Sequence, residues 1–147
     1  MSRTRNAFTL IEVLIVVVIM AVLAATVVPQ FTDATADAKT NTALFNLNTL
    51  RSQIELYKAQ HDGNFPTTLS LLTQATNVDH TTSGGTQPFG PYMQAIPENT
   101  LNSTNAVKTI TTAAAASGDV TAANAGGWIY STNSGGIWLD HTTEYTN

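Results

Sequence analysis

The chain has 147 residues, 43% of them apolar and only 11% charged, with six Lys+Arg against ten Asp+Glu. That length is one domain's worth, so little charge excludes a disordered polyelectrolyte, and a net charge of -4 offers no basic footprint for nucleic acid. The absence of cysteine excludes a disulfide framework, a thiolate metal site and a cysteine nucleophile.

Mean hydropathy is near zero, but its distribution is lopsided. Residues 1–7 are polar and carry Arg3 and Arg5; residues 8–28 then contain only Thr9, Glu12 and Thr26 as polar side chains. As a helix at ~1.5 Å per residue this run reaches ~32 Å, enough to cross a ~30 Å hydrocarbon core. Val16, Val17, Val18 and Ile19 lower helix propensity in water, but in lipid an unpaired backbone is costly enough to impose the helix. Basic residues before the run place the N-terminus in the cytoplasm and the following chain outside. A cleaved secretory signal competes with this reading, since Leu23-Ala24-Ala25 resembles a small-x-small cleavage site. The length of the run, the carboxylate in it and the helical pattern beyond Pro29 argue against that.

Glu12 is the informative residue. A carboxylate inside a membrane helix costs ~2.5–3.5 kcal/mol on insertion scales and marks a partner or a function. Snorkelling to the interface explains how it is tolerated, not why it is there. The nearest cationic candidate is a free amine, were the chain cut just before Phe8.

The stretch Ala7-Phe8-Thr9-Leu10-Ile11-Glu12-Val13-Leu14-Ile15 resembles the class III signal of type IV pilins and type II secretion pseudopilins. The resemblance implies that a prepilin peptidase removes residues 1–7, cutting between Ala7 and Phe8, and N-methylates Phe8. It implies that Glu12 is the assembly carboxylate, pairing with the N-terminal amine of a neighbouring subunit, and that Pro29 kinks the helix. The residue before the cut is usually Gly in that family and is Ala7 here. The implied partners are the prepilin peptidase, identical and related pilin subunits, an assembly platform protein and the membrane. The implied location is the bacterial inner membrane, then a periplasmic or extracellular filament. Removing residues 1–7 deletes Arg3 and Arg5, so the remaining chain is more acidic and no nucleic-acid partner is expected.

Beyond the apolar run, Leu47, Leu50, Ile54 and Tyr57 recur at helical spacing and predict a core-facing stripe. Phe31, Ala34, Ala38 and Phe45 are expected to continue it more weakly. Asp62-Gly63-Asn64 followed by Pro66 predicts the end of the helix, with Gly63 as left-handed cap. The expectation is one helix of roughly fifty residues, its amphipathic half spanning 29–62, and an extracytoplasmic head over 63–147. Pro29 reads either as a kink or as a helix terminus at the membrane surface.

In the head, Phe65-Pro66 leads into a short helix capped by Thr67 or Thr68. Residues 79–87 read as a polar loop, and Gly90-Pro91-Tyr92 with Pro97 is similar to a segment of pseudopilin-like proteins that precedes the sheet. Residues 107–111 predict a strand, 112–125 an Ala-rich loop with a Gly118-Asp119 turn, and Trp128-Ile129-Tyr130-Ser131 with Ile137-Trp138-Leu139-Asp140 a β-hairpin. Trp128 and Trp138 read as packing residues. The predicted fold is α+β: a long N-terminal helix, membrane-spanning in its first half, with a small antiparallel sheet packed on its second half, as in pilins.

No nucleophile elbow, P-loop, dinucleotide fingerprint or zinc-protease helix motif occurs, so no enzymatic activity and no catalytic residue is expected. His61, His80 and His141 read as exposed loop histidines. Asp140, His141 and Glu144 read as the solvated end of the last strand and tail. Major pseudopilins of type II secretion systems often hold calcium in a C-terminal loop. Calcium needs six to eight oxygen ligands, and Asp119, Asp140 and Glu144 are the carboxylates this region offers, so no cofactor or metal ligand is assigned. The reading that follows is a structural subunit of a type IV pilus-like filament, closest to a type II secretion pseudopilin. A true type IV pilus subunit (adhesion, motility or DNA uptake) and a membrane-anchored extracellular binding module are the alternatives.

Overall fold

The structure is a computed structural model that describes residues 8–82, 88–122 and 125–143. It has one long helix, α1 (Leu10–Gln60), two short 3-10 turns at Leu69–Thr73 and Ser117–Asp119, and three strands, β1 (Val107–Ile110), β2 (Trp128–Ser131) and β3 (Ile137–Leu139). The chain divides into two compact units, residues 1–38 and 39–147.

In the first unit residues 10–28 of α1 are apolar apart from Glu12 and Thr26, and every described side chain from Phe8 to Ala38 is exposed. The helix runs through Pro29 without ending, so the terminus alternative for Pro29 fails. Thr32 and Thr35 return their hydroxyls to the carbonyls of Val28 and Phe31, four residues back.

In the second unit Ala43, Leu47, Leu50, Ile54 and Tyr57 are buried. The expected stripe is therefore real and starts one turn earlier than read, at Ala43. Its proposed upward continuation is overturned: Phe31 is 69% exposed and Phe45 71% exposed. At 100° per residue Phe45 stands about 160° from Ala43, on the side of α1 turned away from the core. The helix stops as expected, but both Asp62 (φ 54) and Gly63 (φ 83) take the left-handed conformation. Gly63 N–H closes onto the Lys58 carbonyl at 3.0 Å, the six-to-one bond of a Schellman cap.

The stripe packs against Leu69, Leu71 and Leu72 of the first 3-10 turn and against Trp128, Tyr130, Ile137 and Leu139 of the sheet. Thr68 sits at the N-cap of that turn as expected, without a side-chain capping bond. The two large core aromatics keep their polar ends satisfied: Trp128 Nε1 donates to the Pro97 carbonyl at 2.8 Å, and Tyr130 Oη to the Pro66 carbonyl at 2.7 Å.

The hairpin forms where the two apolar runs predict it, with Trp128 opposite Leu139 and Tyr130 opposite Ile137. The fold class holds, but the sheet is mixed rather than antiparallel. Its order is β1-β2-β3, and β1 runs parallel to β2 with Val107 beside Trp128. The physical reason is the length of the connection. Residues 111–127 are more than the dozen or so that a parallel crossover needs, whereas a hairpin needs as few as two. The crossover also covers the second face of the sheet. Lys108 Nζ donates to the Asp119 carbonyl at 2.6 Å and Ser131 Oγ to the Thr112 carbonyl at 2.6 Å. Ile129, on that face, is consequently buried although α1 lies on the other side.

Candidate assembly site and the polar clusters of the head

The start of α1 is a reciprocal cap. Thr9 N–H donates to Glu12 Oε2 at 2.9 Å, Thr9 Oγ1 donates to the same oxygen at 2.7 Å, and Glu12 N–H donates back to Thr9 Oγ1 at 3.3 Å. This is the capping-box arrangement, in which the N-cap and the residue three positions on satisfy helix-end N–H groups that have no intrahelical partner. The sequence signal for it is the Thr-x-x-Glu pattern at residues 9–12. It also changes the account of Glu12, whose carboxylate has a local role within one chain. Both hydrogen bonds to the carboxylate fall on Oε2, and among the described residues none falls on Oε1. Phe8 stands beside this cap and is 84% exposed. Ala7, with Arg3 and Arg5, lies outside the described residues. Pro29 is in the same helix but far from the cap, so the structure gathers Thr9 and Glu12 and leaves Pro29 apart.

In the head the histidine expectation is corrected. His61 is fully buried. It continues the 50–54–57 spacing by four and stacks on Tyr57, with ring centroids 3.7 Å apart. Its Nδ1 bonds to the Tyr57 carbonyl at 2.8 Å and its Nε2 to Thr76 Oγ1 at 2.9 Å. His80 is half-buried, and its Nδ1 meets Tyr57 Oη at 2.6 Å. Desolvation first, and the neighbouring His61 second, hold the His80 pKa below its ordinary value. Burial pushes the Tyr57 hydroxyl up to about 12, so it remains a donor. Only His141 stays in a polar surface setting, bonded to Thr143.

Asp140 is also corrected: it is buried, not solvated. Its Oδ1 accepts from Thr121 N–H at 2.7 Å and its Oδ2 from Thr121 Oγ1, while Asn102 donates to the carbonyls of Gly126 and Asp140. The group ties the crossover to the end of β3. Asp119 is occupied in a different way, accepting from Ala116 N–H at 2.9 Å. Among the described residues no group of three or more His, Asp or Glu side chains comes together. Asp119 and Asp140 sit in separate hydrogen-bonded groups, and Glu144 lies outside the described residues.

Residues 2–28 match the family model for the prokaryotic N-terminal methylation motif. The chain is 37% identical over 68 residues to the type II secretion system core protein G of Dickeya chrysanthemi, covering 46% of this chain and 44% of that one. It is 39% identical over 56 residues to the protein of the same name from Pseudomonas aeruginosa, covering 38% and 39%. With the Klebsiella pneumoniae protein of that name it shares 30% identity over 106 residues, 70% of this chain and 73% of the relative. The chain belongs to the type II secretion core protein G family. This is a pseudopilin family, as the resemblance at residues 7–15 implied. The chain spans under half the length of the first two relatives and nearly three quarters of the third. No solved structure matches it significantly. α1 is long and apolar enough to cross a membrane, which with the family fits a membrane-anchored subunit.

Proposed function

We propose that the chain is a structural, non-enzymatic subunit of a type II secretion pseudopilus, processed between Ala7 and Phe8 by a prepilin peptidase and methylated on Phe8. Before assembly residues 8–28 hold it in the inner membrane, with residues 1–7 cytoplasmic and the head outside. On extraction the same apolar surface leaves lipid for the helices of identical and related subunits, where close packing replaces lipid contact. Pro29 has no N–H for the Ala25 carbonyl and bends α1 between these two settings.

The observation that carries the proposal is the state of Glu12. Thr9 fixes the carboxylate through Oε2 and leaves Oε1 for the N-terminal amine of a neighbour. An amine buried without its carboxylate is unfavourable by several kcal/mol, so the pair selects one register between subunits. The test is Glu12→Ala in the secreting cell. The expected outcome is a membrane-inserted, processed subunit whose sheared filament yield falls at least about ten-fold, the equivalent of ~1.4 kcal/mol. Filaments at the parental yield contradict the proposal.

A further inference from the structure

β1 uses alternate residues to pair with β2. Trp128 N–H donates to the Ala106 carbonyl at 2.9 Å and Thr132 N–H to the Ile110 carbonyl at 3.1 Å. In a parallel pair of this register, the main-chain groups of Ala106, Lys108 and Ile110 therefore turn toward β2. Those of Val107 and Thr109 turn the other way. β1 is the end strand, and among the described residues no hydrogen bond engages the N–H or C=O of Val107 or Thr109. An edge of this kind is a template for a further strand.

Beside that edge lies an open groove of about 510 Å³. The outward-turned Val107 and Thr109 line it together with Asn105, and Leu69, Ser70 and Thr73 are on the lining as well. Among the described residues nothing charged lines it. The usual protections of an edge are missing: β1 has no proline or bulge, and the amine of Lys108 is turned onto the Asp119 carbonyl.

We infer that this groove takes an extended, uncharged segment of another protein, about four residues long, as a fourth strand beside β1. The occupant is set by the chemistry of the wall. N–H and C=O groups repeating every second residue, ~6.6 Å apart, are answered by the main chain of an extended peptide. An uncharged lining makes burial of a charged side chain there costly. A second copy offering the same edge would pair two-fold and close on itself, which gives a dimer and not an open filament. This inference goes beyond the filament proposal and rests on it only in setting the second copy aside.

The experiment uses the full ¹⁵N-labelled chain in detergent micelles and the blocked peptide acetyl-TVTVT-amide as probe. The expected result is saturable shifts centred on the Val107 and Thr109 amides. A version of the peptide N-methylated at alternate residues should bind at least about ten-fold more weakly, the equivalent of one or two lost hydrogen bonds. Thr109→Pro removes an N–H without a partner among the described residues, so it should keep the melting temperature and lose peptide binding by a similar factor. The N-methyl comparison is made on the unaltered chain and decides the matter even if Thr109→Pro fails to fold. Absence of saturable shifts, equal binding of the two peptides, or shifts that follow protein concentration without peptide (a second copy in the groove) would each overturn the inference.

Discussion

The imidazole of His61 lies flat on the phenol of Tyr57, with the ring planes 2° from parallel. The stack extends the core stripe of α1 by one more turn, past the last residue of the regular helix. It also ties the end of that helix to Thr76 through Nε2, so the helix stop and the following loop are one packed unit. His61→Ala removes the stack, both side-chain hydrogen bonds and a buried volume, and takes one partner from the Thr76 hydroxyl, which also bonds Tyr92. The expected loss is about 2–4 kcal/mol of unfolding free energy, from the cavity and the lost hydrogen bonds together. Urea denaturation of the folded chain measures it, and a loss below about 1 kcal/mol would mean the stack is incidental.

His80 makes the head sensitive to acid. Tyr57 Oη faces its Nδ1, His61 faces it from the end of α1, and Asp79 next to it acts in the opposing direction. With the native pKa below the ordinary 6.5, the unfolded chain binds the proton first as the pH falls. Stability from this group is therefore complete above about 6.5 and declines as the pH drops through that value toward the native pKa. His80→Gln should flatten this part of the stability–pH curve. An unchanged slope between pH 7 and 5 would show that another group carries it.

The Asp140 carboxylate should hold the crossover against the sheet. Asp140→Ala releases Thr121 N–H and Thr121 Oγ1 inside the fold, at a cost of about 2–3 kcal/mol. Hydrogen exchange should then accelerate across 111–122 more than in β2. Gly126→Ala should do the same by steric means, because a Cβ there overlaps the Asp140 carboxylate. Uniform acceleration over the whole head would argue against a local tie.

Thr9 should matter through Glu12. Thr9→Val removes the hydroxyl that both donates to Oε2 and accepts the Glu12 N–H, a cap worth about 1 kcal/mol. Filament yield should fall while membrane insertion is unchanged, and Thr9→Ser should restore it. Equal yields from Thr9→Val and Thr9→Ser would separate the cap from assembly.

The parts of this molecule that sequence pattern made legible are those governed by local periodicity. Leu47, Leu50, Ile54 and Tyr57 repeat at helical spacing, Asp62-Gly63 supplies the left-handed stop, and Trp128-Ile129-Tyr130 and Ile137-Trp138-Leu139 bracket a short Gly-containing loop. What escaped depends on partners distant in sequence. Lys108 and Ile129 share a sheet face because the pairing of β1 with the distant β2 sets them side by side. Asp140 is buried only because Thr121 and Asn102 arrive from elsewhere. His61 looked polar and terminal by residue type, although its spacing from Tyr57 already placed it on the buried face. Phe45 looked like core by residue type, although its angle on the helix placed it outside. At the assembly site the motif over 8–12 was legible as chemistry. The local use of Glu12 as a helix cap is legible too, from Thr-x-x-Glu.

The most direct test of the central claim is the intact mass of the chain isolated from the membrane fraction of a cell with a prepilin peptidase. The expected mass is that of a chain beginning at N-methylated Phe8. A mass retaining Met1 or residues 2–7 would contradict it, because the amine that Glu12 is proposed to meet would then not exist.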